Sequence, residues 1–494
     1  MSNKWKLLLA TLFFCANTHA QPTHKAWDYR YGGTKSEALK NIYKLNDGGY
    51  ILGGFSTSDM DGNKSQPNWS ANNLSDYYIV KTDSNGMKVW DKRFGGTASD
   101  GMFSMAVTLD EGFILGGYSV SNASGDKTQN NWGGADYWVV KVDKDGNKQW
   151  DKRYGGTGND LLYGEIIQTR DGGYLMGGNS NSSISGDKSE MVRGGNSLYD
   201  DYWVVKIDSL GNKQWDKTYG GDNQESLTSL LETADGGYLI GGYSKSGISG
   251  DKTEENIGGF DWWVLKVDSI GNIEWDRTYG TTNSEHLYDI ILSYNSDIIL
   301  VGGGFRYRII ENTGEIITDG GFIGCAVIKR IDKTSDNGFL LSGEAYDGCV
   351  GGPIFPDKTE ANLGRYQTWF IKTDSSFNKQ WDKTVFSTGE DFEGMAIEAG
   401  NGCYVIDSDS RSGIGGYKSQ PNWDATNQWG DFWIVKLCED PNGIINKSAD
   451  TGNSITVYPN PFVNEIAIRL QKEQVQEATY ALTTIDGKIL FQQH

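Results

Sequence analysis

The 494-residue sequence predicts an all-β fold, a seven-bladed β-propeller of four-stranded antiparallel blades, and three recurring phrases predict it. The first, Trp-Asp-Lys/Arg-x-Tyr-Gly-Gly with variations, has its Trp at 27, 90, 150, 215, 275 and 381. The second, Asp-Gly-Gly-Tyr followed by apolar residues and Gly-Gly, has its Asp or equivalent at 47, 110, 171, 235, 297, 336 and 401. The third, Asp-Tyr-Trp-Val-Val-Lys-Val-Asp-x-x-Gly-Asn, has its Lys at 81, 141, 206, 266, 372 and 436. Self-similarity at such a period marks a repeat architecture.

Each unit supplies four strands. Strand A is the apolar run before Asp-Gly-Gly, as at 162–169, and strand B follows the turn, as at 174–178. Asp-Gly is a strong hairpin signal because glycine tolerates the positive φ that tight turns need. Strand C is Trp-Val-Val-Lys, and a second tight turn at Gly-Asn leads to strand D with its Trp-Asp-Lys. Proline is rare in these runs, as paired strands require. One hairpin step is only 39 residues, against about 62 elsewhere; 306–321 (RYRIIENTGEIITDGG) reads as a worn copy of the third and first phrases, with the polar B–C loop deleted. Blades of this kind need about 40–50 residues, so the short unit is still a complete blade.

The ring closes by the same register. The chain reaches its first D strand, 27–31, before any A strand, and the last unit ends at strand C, 433–437. The first strand is therefore expected to complete the seventh blade, a clasp that removes a free sheet edge. The register also pairs the cysteines that follow residue 20. Cys403 opens strand B and Cys438 ends strand C of the last unit; Cys325 opens strand A and Cys349 lies just past strand B of the sixth. Cys403–Cys438 and Cys325–Cys349 are the expected disulfides, out of three possible pairings.

The chain ends carry addresses. Lys4 and Lys6, the apolar run 7–16 and Thr18-His19-Ala20 form the pattern of a signal peptide over 1–20. The apolar run is too short to span a bilayer, and no other run is long enough, so the mature chain is expected to have no transmembrane segment. Residues 21–438 form the propeller, and 439–453 are linker-like. Residues 454–494 contain Tyr458-Pro459-Asn460-Pro461-Phe462 and, later, Ile485-Asp486-Gly487-Lys488. This stretch resembles the type A C-terminal sorting domain of the type IX secretion system of Bacteroidetes. The repeats also resemble arrays found ahead of such domains. The resemblance implies a small, partial β-sandwich-like domain, export through the type IX machinery, and a cargo secreted or held on the outer surface of a Gram-negative cell. The copy lacks the closing strands and Gly-x-Tyr segment of the pattern, so a truncated domain is expected.

Strand alternation puts the tight A–B and C–D turns on one face and the long B–C loops on the other. Long loops on a rigid scaffold are the usual place for binding, so the second face is the expected functional one. Its loops carry Trp69, Trp132, Trp423 and Trp429, with nearby Asn and Asp, a combination that suits a sugar ring; packing of each Trp onto its blade is the competing reading. Lys64-Ser65-Gln66-Pro67-Asn68-Trp69 recurs at 418–423, on blades that adjoin in the ring, which places Trp69 and Trp423 near one another. Asp59-x-Asp61-x-Asn63 is the best local oxygen cluster for calcium, although it lacks the Gly and distant Glu of a complete calcium loop. No other cofactor is expected.

The net charge of −20 argues against nucleic acid, which needs a basic footprint. Only four histidines are present, and no nucleophile motif or phosphate loop occurs. The expected function is therefore a secreted or surface binding propeller, for glycan or protein. A carboxylate-dependent glycoside hydrolase or lyase and a structural surface component are the alternatives.

Overall fold

The computed structural model describes residues 21–439, apart from 23, 71–72, 196–197, 304–305, 323–325, 347–356 and 361–363, and beyond them the backbone of short strands between 447 and 493. The propeller consists of seven four-stranded antiparallel blades. Blade 1 is built from Glu37–Lys44, Tyr50–Ser56, Asp76–Thr82 and Lys88–Phe94, paired in that order from A to D. Blades 2, 3 and 4 span 100–154, 160–219 and 225–279, blade 5 spans 287–321, and blade 6 spans 326–385. In blade 3 strand A is split into Asp160–Leu161 and Ile166–Gln168. Among the described residues the one helical turn is Arg193–Gly195.

The clasp forms as the register requires. Strand His24–Tyr31 pairs with Asp431–Cys438 and becomes strand D of blade 7, outside Cys403–Arg411 and Glu390–Gly400. Cys403 and Cys438 face one another in the B–C register and are joined by a disulfide, with Cα atoms 3.9 Å apart. Cys325 and Cys349 lie outside the described residues, as do the leader 1–20 and Pro459–Phe462. Tyr458 ends a strand, Ser454–Tyr458, that pairs with Ala467–Gln471.

Short strands bury both faces because each blade is packed between two others. The apolar runs of strands B and C interleave across the joints; one such cluster joins Ile51, Tyr77 and Ile79 of blade 1 to Met105, Leu115 and Trp138 of blade 2. The recurring Asp of strand D holds this together from the polar side. Asp151 accepts the indole N–H of buried Trp138 at 3.1 Å and the backbone N–H of Thr128 in the B–C loop at 2.9 Å. The same pair of bonds recurs at Asp216, Asp276, Asp382 and, through the clasp strand, Asp28.

A second recurring device sits at the loop-face end of each joint. The acid that opens strand A of one blade donates its N–H to the carbonyl just before the acid that opens strand C of the previous blade: Asp100 to Ser75, Asp160 to Ala135, Glu225 to Asp200, Glu285 to Phe260, and Glu37 to Gly430 around the closure. Two carboxyl groups are thereby buried side by side: Asp76 with Asp100, Asp136 with Asp160, Asp201 with Glu225, Asp261 with Glu285, and Asp431 with Glu37. Burial, reinforced by the partner acid, pushes Asp76 and Asp136 up to about 7 and Glu37 to about 8. The strand-C acid also explains a glycine of the first phrase. A Cβ on Gly95 would lie 2.3 Å from an Asp76 carboxylate oxygen, and Gly155, Gly220 and Gly280 meet the equivalent acids in the same way.

Candidate functional site

The loop face is built by head-to-tail contacts between successive B–C loops. The Ser-Gly-Asp-Lys phrase forms a tight turn whose glycine has φ near +58°, as at Gly125 and Gly250. Its Lys is buried; Lys127 donates to the Ser121 carbonyl at 2.8 Å and to Asn131 at 2.6 Å, which pins the loop to its own blade. Its Asp reaches back to the preceding blade. Asp126 accepts the indole N–H of Trp69 at 2.9 Å and a guanidinium N–H of Arg93 at 2.7 Å, while Arg93 lies 4.7 Å over the Trp69 ring. Trp132, Arg153 and Asp187 repeat the arrangement one blade on. In blade 3 Arg193 takes the place of the Trp and binds Asp251.

The four loop tryptophans are thus placed as follows. Trp69 and Trp132 are half-exposed clamps over Gly125 and Gly186 of the next blade. Trp423 stacks under Arg30, 3.9 Å from its guanidinium, and lies against Gly62 of blade 1. Trp69 and Trp423 consequently serve successive joints of the ring. Trp429 is half-exposed, and its carbonyl accepts from Asn422 at 3.1 Å.

The Asp59-x-Asp61-x-Asn63 cluster is the blade 1 copy of the same turn. Asp61 stands where Ser124 stands in blade 2 and accepts the Thr34 N–H at 2.9 Å, as Ser124 accepts that of Thr97. Asn63 accepts from Gly32 and donates to Arg30, and Asp59 accepts the N–H of Met60. These oxygens are engaged by backbone groups. Among the described residues no three His, Cys, Asp or Glu side chains gather as a metal would require.

A different constellation lies at the centre of the ring. Strand A of each blade is innermost, and a β-bulge interrupts it in blades 1, 2, 4, 5 and 6, between the partners of Leu39/Asn41, Met102/Ser104, Leu227/Ser229, Leu287/Asp289 and Ile328/Arg330. A bulge turns one extra side chain aside, so Lys40, Phe103, Thr228, Tyr288 and Lys329 line a central cavity of about 750 Å³, together with Glu393 of blade 7. The residue just past each bulge ties the blades together. Asn41 accepts the N–H of Met105, Ser104 that of Ile166, Ser229 that of Ile290 and Asp289 that of Ile331, at 3.0–3.2 Å. In blade 3 Glu165 does the same for Leu230 at 2.8 Å.

The cavity wall carries paired charge. Glu393 bridges Lys40 at 3.2 Å and Lys329 at 2.8 Å, and Lys329 also reaches Glu344 at 3.0 Å. Burial pushes the Glu393 carboxyl up, but the two lysines outweigh it and hold it at about 2. Glu393 has φ +59°, an uncommon conformation for a residue with a Cβ. Across the cavity wall, burial and the neighbouring Asp289 raise Glu165 to about 7.

Above this floor, aromatic rings surround the mouth on the loop face. Phe55, Phe103, Tyr118 and Tyr163 from blades 1–3 pack at 4.6–5.9 Å. Tyr243, Phe260 and His286 form a second group, with Tyr243 stacked on His286 at 4.1 Å. Tyr346, Tyr366 and Phe392 form a third, at 4.8 and 5.5 Å. Tyr163 and Tyr346 remain 42% and 36% exposed. These rings lie outside the loop positions Trp69, Trp132, Trp423 and Trp429 expected from the sequence. Their signal is the residue after Gly-Gly at the end of strand B, as in Gly-Gly-Phe55 and Gly-Gly-Tyr118, and the bulged position of strand A.

Comparison with known proteins adds a limited likeness. No family model matches the chain. It is 25% identical over 246 residues to the regulatory protein FlaEY of Caulobacter vibrioides, a match covering 47% of this chain and 25% of that one. The chain thus spans about a quarter of the length of that relative. Among solved structures it is similar to BamB from Moraxella catarrhalis, at 10% identity and TM-score 0.40 over 84% of this chain and 99% of that one. Sqt1 from Chaetomium thermophilum gives 10% identity and 0.41, covering 87% and 92%. Raptor from the same organism gives 7% and 0.47, covering 86% and 29%.

Proposed function

We propose that the protein is an exported binding propeller whose central mouth holds an extracellular glycan, delivered to the cell surface or medium by type IX secretion. The observation that carries this reading is the aromatic rim, partly exposed and contributed by nearly every blade, over a floor of hydrogen-bonding and charged groups. A sugar ring offers an apolar face to an aromatic side chain and hydroxyls to the polar groups beneath. The loop tryptophans Trp69 and Trp132 have their indole N–H groups engaged in holding loops, whereas Tyr163 lines the central cavity and stays 42% exposed. The same mouth would also accept a protein loop, which the test below separates from glycan.

The test is a glycan array probed with the chain, followed by calorimetry on the best hit with Tyr163→Ala and Tyr346→Ala. A loss of roughly tenfold in affinity per ring, about 1.4 kcal/mol, is expected at a stacking site. Unchanged affinity in both variants would move the ligand off the mouth. Release of shortened saccharide would establish the glycosidase alternative in place of binding.

A further inference from the structure

We propose that the outer edge of blade 5 is a docking site where an extended, cationic strand of a partner protein adds to Ile316–Gly321 by main-chain hydrogen bonds. The inference begins with how the other blades protect their outer edges. Strand D is the outermost strand of each blade, so half its N–H and C=O groups face away from the sheet. Exposed edges of this kind invite pairing with another chain, and folded proteins cover or blunt them.

This chain covers them with the B–C loop. The residue two past the buried loop Lys turns back onto its own strand D and accepts an outward N–H. Gln66 takes that of Arg93 at 2.9 Å, Gln129 that of Arg153 at 2.9 Å, Glu190 that of Thr218 at 3.1 Å, Glu254 that of Thr278 at 2.6 Å and Glu360 that of Thr384 at 2.9 Å. The loop residue before it is fixed to the strand-D Asp, as Ser65 is to Asp91 at 2.8 Å. The edge is thus capped in five blades by one repeated contact.

Blade 5 has lost the loop. Strand C begins at Arg306, four residues past the end of strand B at Gly302. Its strand-D acid, Asp319, is taken instead by Arg308 at 3.0 Å. Gly321, which corresponds to Arg93, has no capping side chain among the described residues. Asp319 is accordingly exposed, where the equivalent strands of blades 1–4 bury their Asp; the final aromatic, Phe322, is buried as in those blades. Ile316 and Ile317 stand 50% and 48% exposed beside the open edge.

A row of unpaired backbone groups next to exposed apolar side chains is the surface that strand addition uses. Charge selects the occupant. Locally Glu311, Glu315 and Asp319 are balanced by Arg277, Arg306 and Arg308, so the selection comes from the charge of the whole chain. The chain as a whole carries −20, so a second copy would be repelled over a long range while a cationic segment would be drawn in.

The probe is a fluorescently labelled, end-blocked peptide of alternating valine and lysine, titrated into the whole chain by anisotropy. Two variants remove the edge: Gly321→Pro deletes an outward N–H, and replacement of 303–305 by the blade 4 loop 245–260 restores the missing cover. Binding by the native chain, weakened roughly tenfold or more in both variants, is expected. It should also be lost when alternate amides of the peptide are N-methylated, which leaves its charge unchanged. Equal binding by the N-methylated peptide would show simple charge attraction and overturn the proposal, as would equal binding by the loop-graft variant with its melting transition intact. Sedimentation showing a dimer that Gly321→Pro dissociates, without peptide binding, would replace the partner by a second copy.

Discussion

Asparagine at position 201 would keep the shape of a buried acid while ending its exchange of protons with the neighbouring blade. Asp201 and Glu225 are within hydrogen-bonding reach of one another and are almost wholly buried. Glu225 accepts the hydroxyls of Ser246 at 2.6 Å and Ser244 at 2.7 Å and the N–H of Gly221 at 3.1 Å, and Asp201 accepts the N–H of Arg193. The nearest buried cation, Lys188, donates to Thr218 instead. Burial raises both acids, and the neighbouring Glu225 raises Asp201 further while the hydrogen bond from Asp201 favours the Glu225 carboxylate, so the folded state keeps a proton, held on Asp201, that the unfolded chain gives up near pH 4. A raised carboxyl stabilises the fold at low pH, and that contribution drains away as pH climbs through the raised value. The slope is about 1.4 kcal/mol per pH unit for each proton retained. Urea unfolding of the native chain and of D201N at pH 5, 6, 7 and 8 tests it. The native chain should lose stability towards pH 8, and the difference between the two should change by about 1.4 kcal/mol per pH unit, with the variant gaining as pH rises. Parallel profiles for the two proteins would refute the shared proton. The buried loop lysines do not confuse the window, because burial lowers Lys127 and Lys188 to about 8, and they act above it.

Four further outcomes follow from the geometry. Cys403→Ser with Cys438→Ser opens a loop of 35 residues at the ring closure and should lower stability by about 3–4 kcal/mol, read as a fall in the urea midpoint that a reductant reproduces in the native chain. Deleting 21–31 removes strand D of blade 7 and the Asp28 contacts to Ser419 and Trp433; the truncated chain should lose its cooperative transition in calorimetry. Trp69→Phe keeps the ring over the loop but drops the indole N–H to Asp126, and a loss of about 1–2 kcal/mol should appear in urea unfolding. Glu393→Gln removes the charge between Lys40 and Lys329, which keeps Glu344, and should cost about 1 kcal/mol in the same assay.

The sequence carried those parts of the fold that short-range rules govern. Asp-Gly and Gly-Asn turns set where strands reverse, and alternation set which faces they bury, so the blade order, the clasp strand at 27–31 and the Cys403–Cys438 pairing were legible in the sequence. The functional face was harder, because its key contacts join residues with no local relation. Of the two readings open for Trp69, ligand platform and packing onto the blade, neither announces that its indole meets Asp126 on the next blade. The partners of Asp61 and Asn63 are equally distant in sequence, since the backbone groups of Gly32 and Thr34 that they accept from belong to the preceding D–A link. The cavity lining was less legible still, since a bulge of one residue decides whether Lys40 or Asn41 faces the centre, and no residue type marks it. Blade 5 shows where the two kinds of knowledge meet. The missing loop is plain in a spacing of 39, but its consequence is visible only once Gln66, Gln129, Glu190, Glu254 and Glu360 are seen capping the edges of five other blades. The deletion leaves all four strands of blade 5 paired and removes the contact that caps the edge in the other units, so its consequence falls on that edge.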